Sequence, residues 1–148
     1  MTAFGHLLAE RADDDGVALL HGERSWTYRE LVAEGRRRAA LFADRADPDR
    51  PPHVGVLLDN VPDYLFWLVA GALSGSVVVG INSTYRGEQL AQLVDHTDCQ
   101  VLVTSSDLAG LLDTAPHDVP PERVLVVDDP GYADALAAVR PGAGEGPL

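Results

Sequence analysis

The sequence predicts an α/β fold, a mostly parallel sheet of βαβ units flanked by helices. Four short apolar runs carry that reading: "HVGVLL" (53–58), "SVVVGI" (76–81), "QVLVTS" (100–105) and "RVLVVDD" (123–129). Each is rich in β-branched residues and has the length of a strand buried on both faces. Segments with helical spacing alternate with these runs, and such alternation implies right-handed crossovers within a parallel sheet. Helix-start and helix-stop signals stand at the junctions.

Taken in order, "AFGHLLAERADDD" near the start reads as a short amphipathic helix with Phe4, Leu7 and Leu8 on one side. It lacks the basic start and long apolar core of a signal peptide. "VALLHGERSWTY" (17–28) reads as two strands turning at His21-Gly22-Glu23. Thr27 and Glu30 form a T-x-x-E capping box, with Trp26 and Leu31 placed as a hydrophobic staple. A helix follows, with Tyr28, Leu31, Gly35, Ala39 and Phe42 as its apolar stripe. Arg36, Arg37 and Arg38 are expected on its solvated face, near Glu34.

"DPDRPP" (47–52) is a turn before the first parallel strand. "DNVPD" then opens a helix, with Asn60 as the expected N-cap, Pro62 in the first turn and Asp63 at the positive end of the dipole. "YLFWLVAGAL" is apolar all round, so this helix is expected to be buried on most faces. The glycines of "LVAGALSGSVVVGINS" (68–83) invite comparison with a phosphate loop, which must follow a strand and open a helix. Gly75 instead follows a helix and precedes a strand, where a left-handed glycine ends the helix. Gly71, inside the helix, marks a close backbone approach. "EQLAQLVDHTD" (88–98), "DLAGLLDTA" (107–115) and "YADALAAV" (132–139) are the remaining helices, and Ser105 and Ser106 are placed as caps of the second. "RPGAGEGPL" reads as a Gly/Pro-rich linker.

The net charge is −12, from 11 basic and 23 acidic side chains. That balance disfavours nucleic acid and anionic membrane as partners, since both require a basic surface. Every basic residue is Arg, so the chain offers no Schiff-base or phosphate-loop Lys. Cys99 is the only cysteine, which excludes an internal disulfide and a Cys-based metal site and suits a reducing, cytoplasmic setting. The longest apolar run, Tyr64 to Leu73, is shorter than the ~18 residues of a membrane span. His6, His21, His53, His96 and His117 show no metal-ligand spacing. His96, near a helix end, suits the dipole. "RVLVVDDP" has the look of a receiver-domain strand ending in Mg²⁺-binding carboxylates, but that domain needs a downstream Lys. Asp128 and Asp129 read instead as turn residues with Pro130 and Gly131. The residues alone thus describe an α/β domain without a visible active site, and no catalytic, cofactor-binding or metal residue is predicted.

The order of segments carries more. "WTYRELVAEGRRRAALF", "HVGVLLDNVPDYLFWLVAGALSGSVVVGIN" and "EQLAQLVDHTDCQVLVTS" resemble the amino-terminal portion of an acyl-CoA synthetase of the adenylate-forming (AMP-binding) enzyme superfamily. The family pattern is a T-Y-x-E-L helix, a strand ending in L-x-N-x-P-E/D, an apolar helix closing on Gly, a strand ending in N-P, an E-E-L helix and a V-L-I-T strand. The match runs from about Trp26 to Ser105 and continues to Asp129. The resemblance implies an N-terminal subdomain of the adenylate-forming fold over residues 1–140, with 141–148 a linker toward the remainder. It implies a ligase that joins a fatty or related carboxylic acid to CoA through an acyl-adenylate, using ATP and Mg²⁺. Its partners would be the rest of the AMP-binding domain and a C-terminal domain. The family's P-K-G phosphate loop, its Mg²⁺-linked Glu, its ribose-binding Asp and its catalytic Lys have no counterpart in this chain.

Three positions depart from the pattern: Gly80 and Ser83 stand where Pro is usual, and Arg86-Gly87 where T-P opens the helix. A cation at a helix N-terminus opposes the dipole, which makes Arg86 the one candidate contact for an acidic group such as a CoA phosphate. The alternative to a ligase fragment is a stand-alone, non-catalytic α/β domain that binds a partner protein. A unit cut from a larger fold is also expected to expose an apolar patch, built mainly from the Pro62–Ser74 helix or the 77–81 strand.

Overall fold

The first four elements are a short helix, a two-stranded hairpin and a long helix. In the computed structural model, which describes residues 2–140 and 142, helix α1 (Ala3–Ala9) is followed by an antiparallel hairpin of β1 (Val17–His21) and β2 (Arg24–Thr27). Gly22 makes the tight turn between them at φ 59°. The Thr27–Glu30 capping box then opens α2 (Tyr28–Arg45), as read from the sequence. Trp26 and Leu31, the staple pair, are both buried in one cluster with Leu8, Phe66 and Val69. Helix α1 docks by Gly5 and Leu8, and Thr2 bonds the carbonyl of Ala72. Phe4 and Leu7 were expected beside Leu8, but they are 59% and 61% exposed, because α1 turns only the Gly5–Leu8 edge inward.

The parallel sheet contains β3 (His53–Leu57), β4 (Val77–Gly80), β5 (Val101–Thr104) and β6 (Val124–Val126), in the order β4-β3-β5-β6. Helix α3 (Pro62–Ser74) connects β3 to β4, and α4 (Gly87–His96) leads back to β5 on the other side of β3. Helix α5 (Ser106–Asp113) leads on to β6, and α6 (Pro130–Ala138) follows it. Residues of α2, α3 and α6 cover one face through Phe42, Trp67 and Tyr132. Those of α4 and α5 cover the other through Leu90, Val94 and Leu112. Linker positions 141–148, apart from Gly142, lie outside the described residues.

Several local expectations are corrected. The N-cap of α3 is Val61, without a side-chain cap, and not Asn60, because the chain enters directly on Pro62 at N1, where no N–H needs a partner. Ser105 occupies the N-cap of α5 but makes no capping bond. Asp128, reaching from the end of β6, accepts from the Ser106 N–H at 2.8 Å and from its hydroxyl. Asp129 caps α6 by accepting from Gly131 N at 2.7 Å. Gly75 has the left-handed φ of 85° read from its place in the chain. At Gly71 a Cβ would meet the Ser76 carbonyl at 3.0 Å. The larger close approach is at Gly35, where a Cβ would overlap Val69 and sit 3.3 Å from the backbone N of Ala70. Glycine there lets α2 lie directly on α3.

The main correction concerns Arg38, which is 3% exposed rather than solvated. Its guanidinium bonds Asp63 through Nε at 2.8 Å and Nη2 at 2.7 Å, and Glu34 through Nη1 at 2.6 Å. It also lies 4.6 Å over the Phe66 ring. Tyr132 of α6 donates to Asp63 at 2.7 Å and accepts from Trp67 Nε1 at 3.2 Å. Burial pushes the Tyr132 hydroxyl up, and Arg38 opposes this only in part, so the hydroxyl remains a donor at neutral pH. Burial acts against the Arg38 charge, but the carboxylates of Asp63 and Glu34 hold it, and its pKa is raised.

The apolar surface also differs from expectation. Leu68 of α3 and Val77 of β4 are exposed, at 42% and 47%, but Leu20 of the hairpin is more so, at 72%. Phe66 and Val69 are buried because α1, α2 and the hairpin cover the outer side of α3, and Trp67 is buried against the sheet. No helix among the described residues is long and apolar enough to cross a membrane.

Four substitutions test this packing by urea denaturation. Gly75→Ala is expected to cost about 1 kcal/mol, since a Cβ opposes the left-handed conformation. Gly35→Val is expected to cost about 1–3 kcal/mol by overpacking, and adding Val69→Ala should recover part of it, so the pair is non-additive. Arg38→Ala strands two carboxylates that keep some contact with water, which places its cost toward the lower end of about 3–5 kcal/mol. A loss near zero would show that the ion pair does not hold α2 to α3.

Candidate functional site

In an open parallel sheet, ligands enter where neighbouring connections diverge, outside the carboxyl ends of the strands. Here the divergence lies between β3 and β5. The chain leaves β3 toward β4 on one side and leaves β5 toward β6 on the other. A crevice of about 390 Å³ occupies that place. Its floor comes from Leu58 after β3 and Val127 after β6, and its outer wall from Trp26 and Phe66. These two rings meet edge to face, with centroids 5.7 Å apart. Arg24 lies 4.5 Å over Trp26. Because Trp26 is also the staple of α2, the capping box that starts that helix places one wall of the crevice.

The polar groups are mostly carboxylates: Asp59 follows β3, Asp63 opens α3, Asp107 opens α5 and Asp128 follows β6. Asp63 is held by Arg38 and Tyr132. Hydrogen bonds from the Ser106 hydroxyl and N–H hold the Asp128 carboxyl below the usual range, so it stays ionised. Asp59 and Asp107 are exposed, and among the described residues neither is paired with a cation. Such a rim repels phosphate, so these residues do not fit the phosphates of ATP or CoA. No three His, Cys, Asp or Glu among the described residues converge to hold a metal ion such as Mg²⁺. No nucleophile–base pair is found among the residues that line the crevice, where Ser105 is the N-cap residue of α5. The chemistry open to this site is to orient an apolar or cationic group.

The candidate from the sequence, Arg86, is elsewhere. It is exposed at the N-cap of α4, and Nη1 donates to the carbonyls of Ser83 and, at 2.8 Å, Tyr85. Gly87 follows at φ 48°. The crevice and Arg86 are therefore not one site. Gly75 and the other glycines of the 68–83 stretch do not line the crevice. Gly75 itself lies at the opposite, amino-terminal edge of the sheet, before β4. Cys99 is buried, and burial raises its thiol pKa although Thr97 hydrogen-bonds it. His96 is exposed in the last turn of α4. The sequence by itself marks Asp63 and Asp128 as local helix and turn residues. Their partners, Arg38, Tyr132 and Ser106, lie at least 22 positions away in sequence.

Comparison with known proteins accounts for this arrangement. The family model described as AMP-binding enzyme matches residues 8–144. Steroid-22-oyl-CoA synthetase of Rhodococcus jostii (strain RHA1) is 42% identical over 139 residues, 93% of this chain and 24% of that protein. The medium/long-chain-fatty-acid–CoA ligase FadD17 of Mycobacterium tuberculosis is 44% identical over 128 residues, 86% of this chain and 24% of that protein. The chain thus spans about a quarter of the length of these relatives. Among solved structures, the N-terminal domain of FACL13 from Mycobacterium tuberculosis superposes with a TM-score of 0.81 at 20% identity, covering 100% of this chain and 38% of that one. A benzoate CoA ligase from Burkholderia xenovorans LB400 gives 0.76 at 17% identity, covering 100% and 31%. These two share the fold. With the family model matched along nearly its whole length, the chain belongs to the AMP-binding enzyme family, of which it is an N-terminal portion.

Proposed function

We propose that this chain is the N-terminal α/β subdomain, residues 1–140, of an ATP-dependent acyl-CoA ligase. The whole enzyme would convert a carboxylic acid and ATP to an acyl-adenylate and pyrophosphate, then pass the acyl group to CoA with release of AMP. The observation that carries this reading is the match of nearly the whole chain to acyl-CoA-forming relatives at more than 40% identity. Their names point to large apolar acids, a steroid side-chain acid and medium or long-chain fatty acids. A fatty or related acid is therefore the substrate class proposed here, and the cytoplasm, where ATP and CoA are available, the compartment. The role of this chain is to build a rigid wall, with Arg86 its one candidate contact to CoA, and the groups that hold ATP and Mg²⁺ belong to the remaining three-quarters of the enzyme. The carboxylate-rimmed crevice agrees with that division, because it suits no phosphate.

The test is a chimera in which this chain replaces the corresponding quarter of the Rhodococcus relative. The chimera is expected to form a CoA thioester from a steroid side-chain acid only with ATP and Mg²⁺. The chain alone is expected to give no pyrophosphate exchange with ATP and a panel of fatty acids. A well-folded but silent chimera, or turnover by the chain alone above a denatured control, would overturn the reading and favour a stand-alone binding domain. In the active chimera, Arg86→Ala should raise the KM for CoA several-fold with kcat unchanged. No change in either would remove Arg86 as a substrate contact.

A further inference from the structure

The loop between α1 and β1 carries the one Asp–Gly pair of the sequence, Asp15–Gly16, and the sequence has no Asn–Gly. A glycine has no Cβ to shield its nitrogen, so the nitrogen of an Asp–Gly pair can close on the aspartyl Cγ and form a five-membered succinimide. In the preceding pairs, Asp13–Asp14 and Asp14–Asp15, a Cβ stands beside that nitrogen. Both reacting groups of Asp15–Gly16 have partners. The Gly16 N–H donates to Asp14 Oδ1 at 2.7 Å. The Arg29 guanidinium forks onto the Asp15 carboxylate, Nε to Oδ1 at 2.9 Å and Nη2 to Oδ2 at 3.2 Å. Hydrogen bonds from Arg29, and its charge, hold the Asp15 carboxyl below the usual carboxylate range. Ring closure expels a carboxyl oxygen as water, which the ionised carboxylate does not release, so the fork opposes the reaction. The fork is exposed to solvent, where ion pairs are weak, and its protection is partial. The same loop supports α2. The carbonyls of Asp14 and Gly16 accept from Arg29 N and Tyr28 N, both at 2.9 Å. These are N–H groups that the start of a helix leaves without a helical partner.

We propose that Asp15–Gly16 is a site of spontaneous backbone modification, that the Arg29 fork holds the reaction back, and that the modified loop no longer seats the start of α2. In the first step the Gly16 nitrogen bonds to Asp15 Cγ. Its hydrogen and the OH of the protonated carboxyl leave together as one water. In the second step a water opens the ring at either carbonyl. Opening at the side-chain carbonyl restores aspartate. Opening at the main-chain carbonyl gives isoaspartate, an isomer of equal mass in which the chain runs through Cβ and Cγ and the former main-chain carbonyl becomes a free carboxylate. Water is the one co-reactant, and no group is oxidised or reduced. The product has one extra methylene in the backbone between Asp14 and Gly16. Two carbonyls spaced to meet Arg29 N and Tyr28 N then lose that spacing. Trp26, which walls the crevice, lies two residues before Tyr28, so the change reaches the crevice through the start of α2. The proposal does not depend on the ligase reading.

The test ages the full chain at neutral pH and body temperature and reads isoaspartate at residue 15 by peptide mapping with electron-transfer fragmentation. A synthetic peptide of residues 10–20 is the reference without the fork. IsoAsp15 is expected to form slowly in the chain, several-fold faster in the peptide, and several-fold faster in Arg29→Gln than in the unaltered chain. Arg29→Lys keeps the charge without the fork and should fall between the two, and it carries the test if circular dichroism shows Arg29→Gln unfolded. Asp15→Glu keeps a carboxylate for Arg29 but requires a six-membered ring, so it should give no isomer. Arg11→Gln removes the ion pair on Asp14 in the same loop and leaves the fork, so it should stay near the unaltered rate. Equal rates in the chain, the peptide and the Arg29 variants would overturn the role of the fork, as would an Arg11→Gln acceleration as large as that of Arg29→Gln. No isoAsp15 in any of them would overturn the site. In aged Arg29→Gln, hydrogen exchange at the Tyr28 and Arg29 amides should be several-fold faster in the isoaspartyl fraction than in the unmodified fraction, with the α3 amides unchanged. Equal exchange in the two fractions would overturn the effect on α2.

Discussion

One buried guanidinium organises this molecule. Arg38 rises from the middle of α2 into a place where burial disfavours any charge, and it is retained because Asp63, Glu34 and the Tyr132 hydroxyl surround it. A buried ion pair is weak evidence of stability in itself, since its Coulomb energy is spent largely on desolvation. What it supplies is register. Asp63 is in the first turn of α3 and Tyr132 in the first turn of α6, so one side chain of α2 sets where two other helices begin. The apolar contacts around it, Phe42, Trp67 and Ala70 among them, would tolerate a slide of one helix along another, whereas a forked guanidinium does not.

That register defines the crevice. The carboxyl end of β3 passes into the Val61–Pro62 entry of α3, and the carboxyl end of β6 passes into Asp128 and Asp129, which cap α5 and α6 in turn. Each helix that leaves the sheet near the crevice therefore starts from a carboxylate or a proline. These are the residues that satisfy or dispense with free N–H groups at a positive dipole end. The negative rim is thus partly a consequence of helix capping. Asp107 stands in the first turn of α5 and suits its dipole; Asp59 is the exception, and among the described residues no cation pairs with it.

The chain belongs to the AMP-binding family and spans about a quarter of the length of the relatives it matches. The closely packed part of the structure is the interior of the two helical layers. The outward surfaces, Phe4 and Leu7 of α1, Leu20 of the hairpin and Leu68 of α3, are apolar beyond what a unit of this charge needs for its own folding. Gly35 and Gly71, where helix backbones meet their neighbours, belong to the interior and serve packing alone.

Local grammar determined most of the secondary structure. The capping box at Thr27, the Pro62 start, the Gly75 stop and the β-branched runs each rely on interactions within a few residues, and each stands where the spacing put it. The family, too, was legible, because it rests on the order of such local signals. What the sequence left undecided were contacts between distant positions. Arg38 shares the helical phase of Leu31, Gly35 and Phe42, so its spacing pointed inward while its charge pointed to solvent. Only the arrival of Asp63 and Tyr132, 25 and 94 positions further along, settled the conflict. Asp128 looked like a turn residue because its partner, Ser106, is on a neighbouring strand's connection. The exposed faces were decided in the same way: α1 and the hairpin fold over α3, which buries a helix that is apolar all round and leaves their own leucines outside. Charge and apolarity are properties of a residue, but burial is a property of what the rest of the chain brings against it.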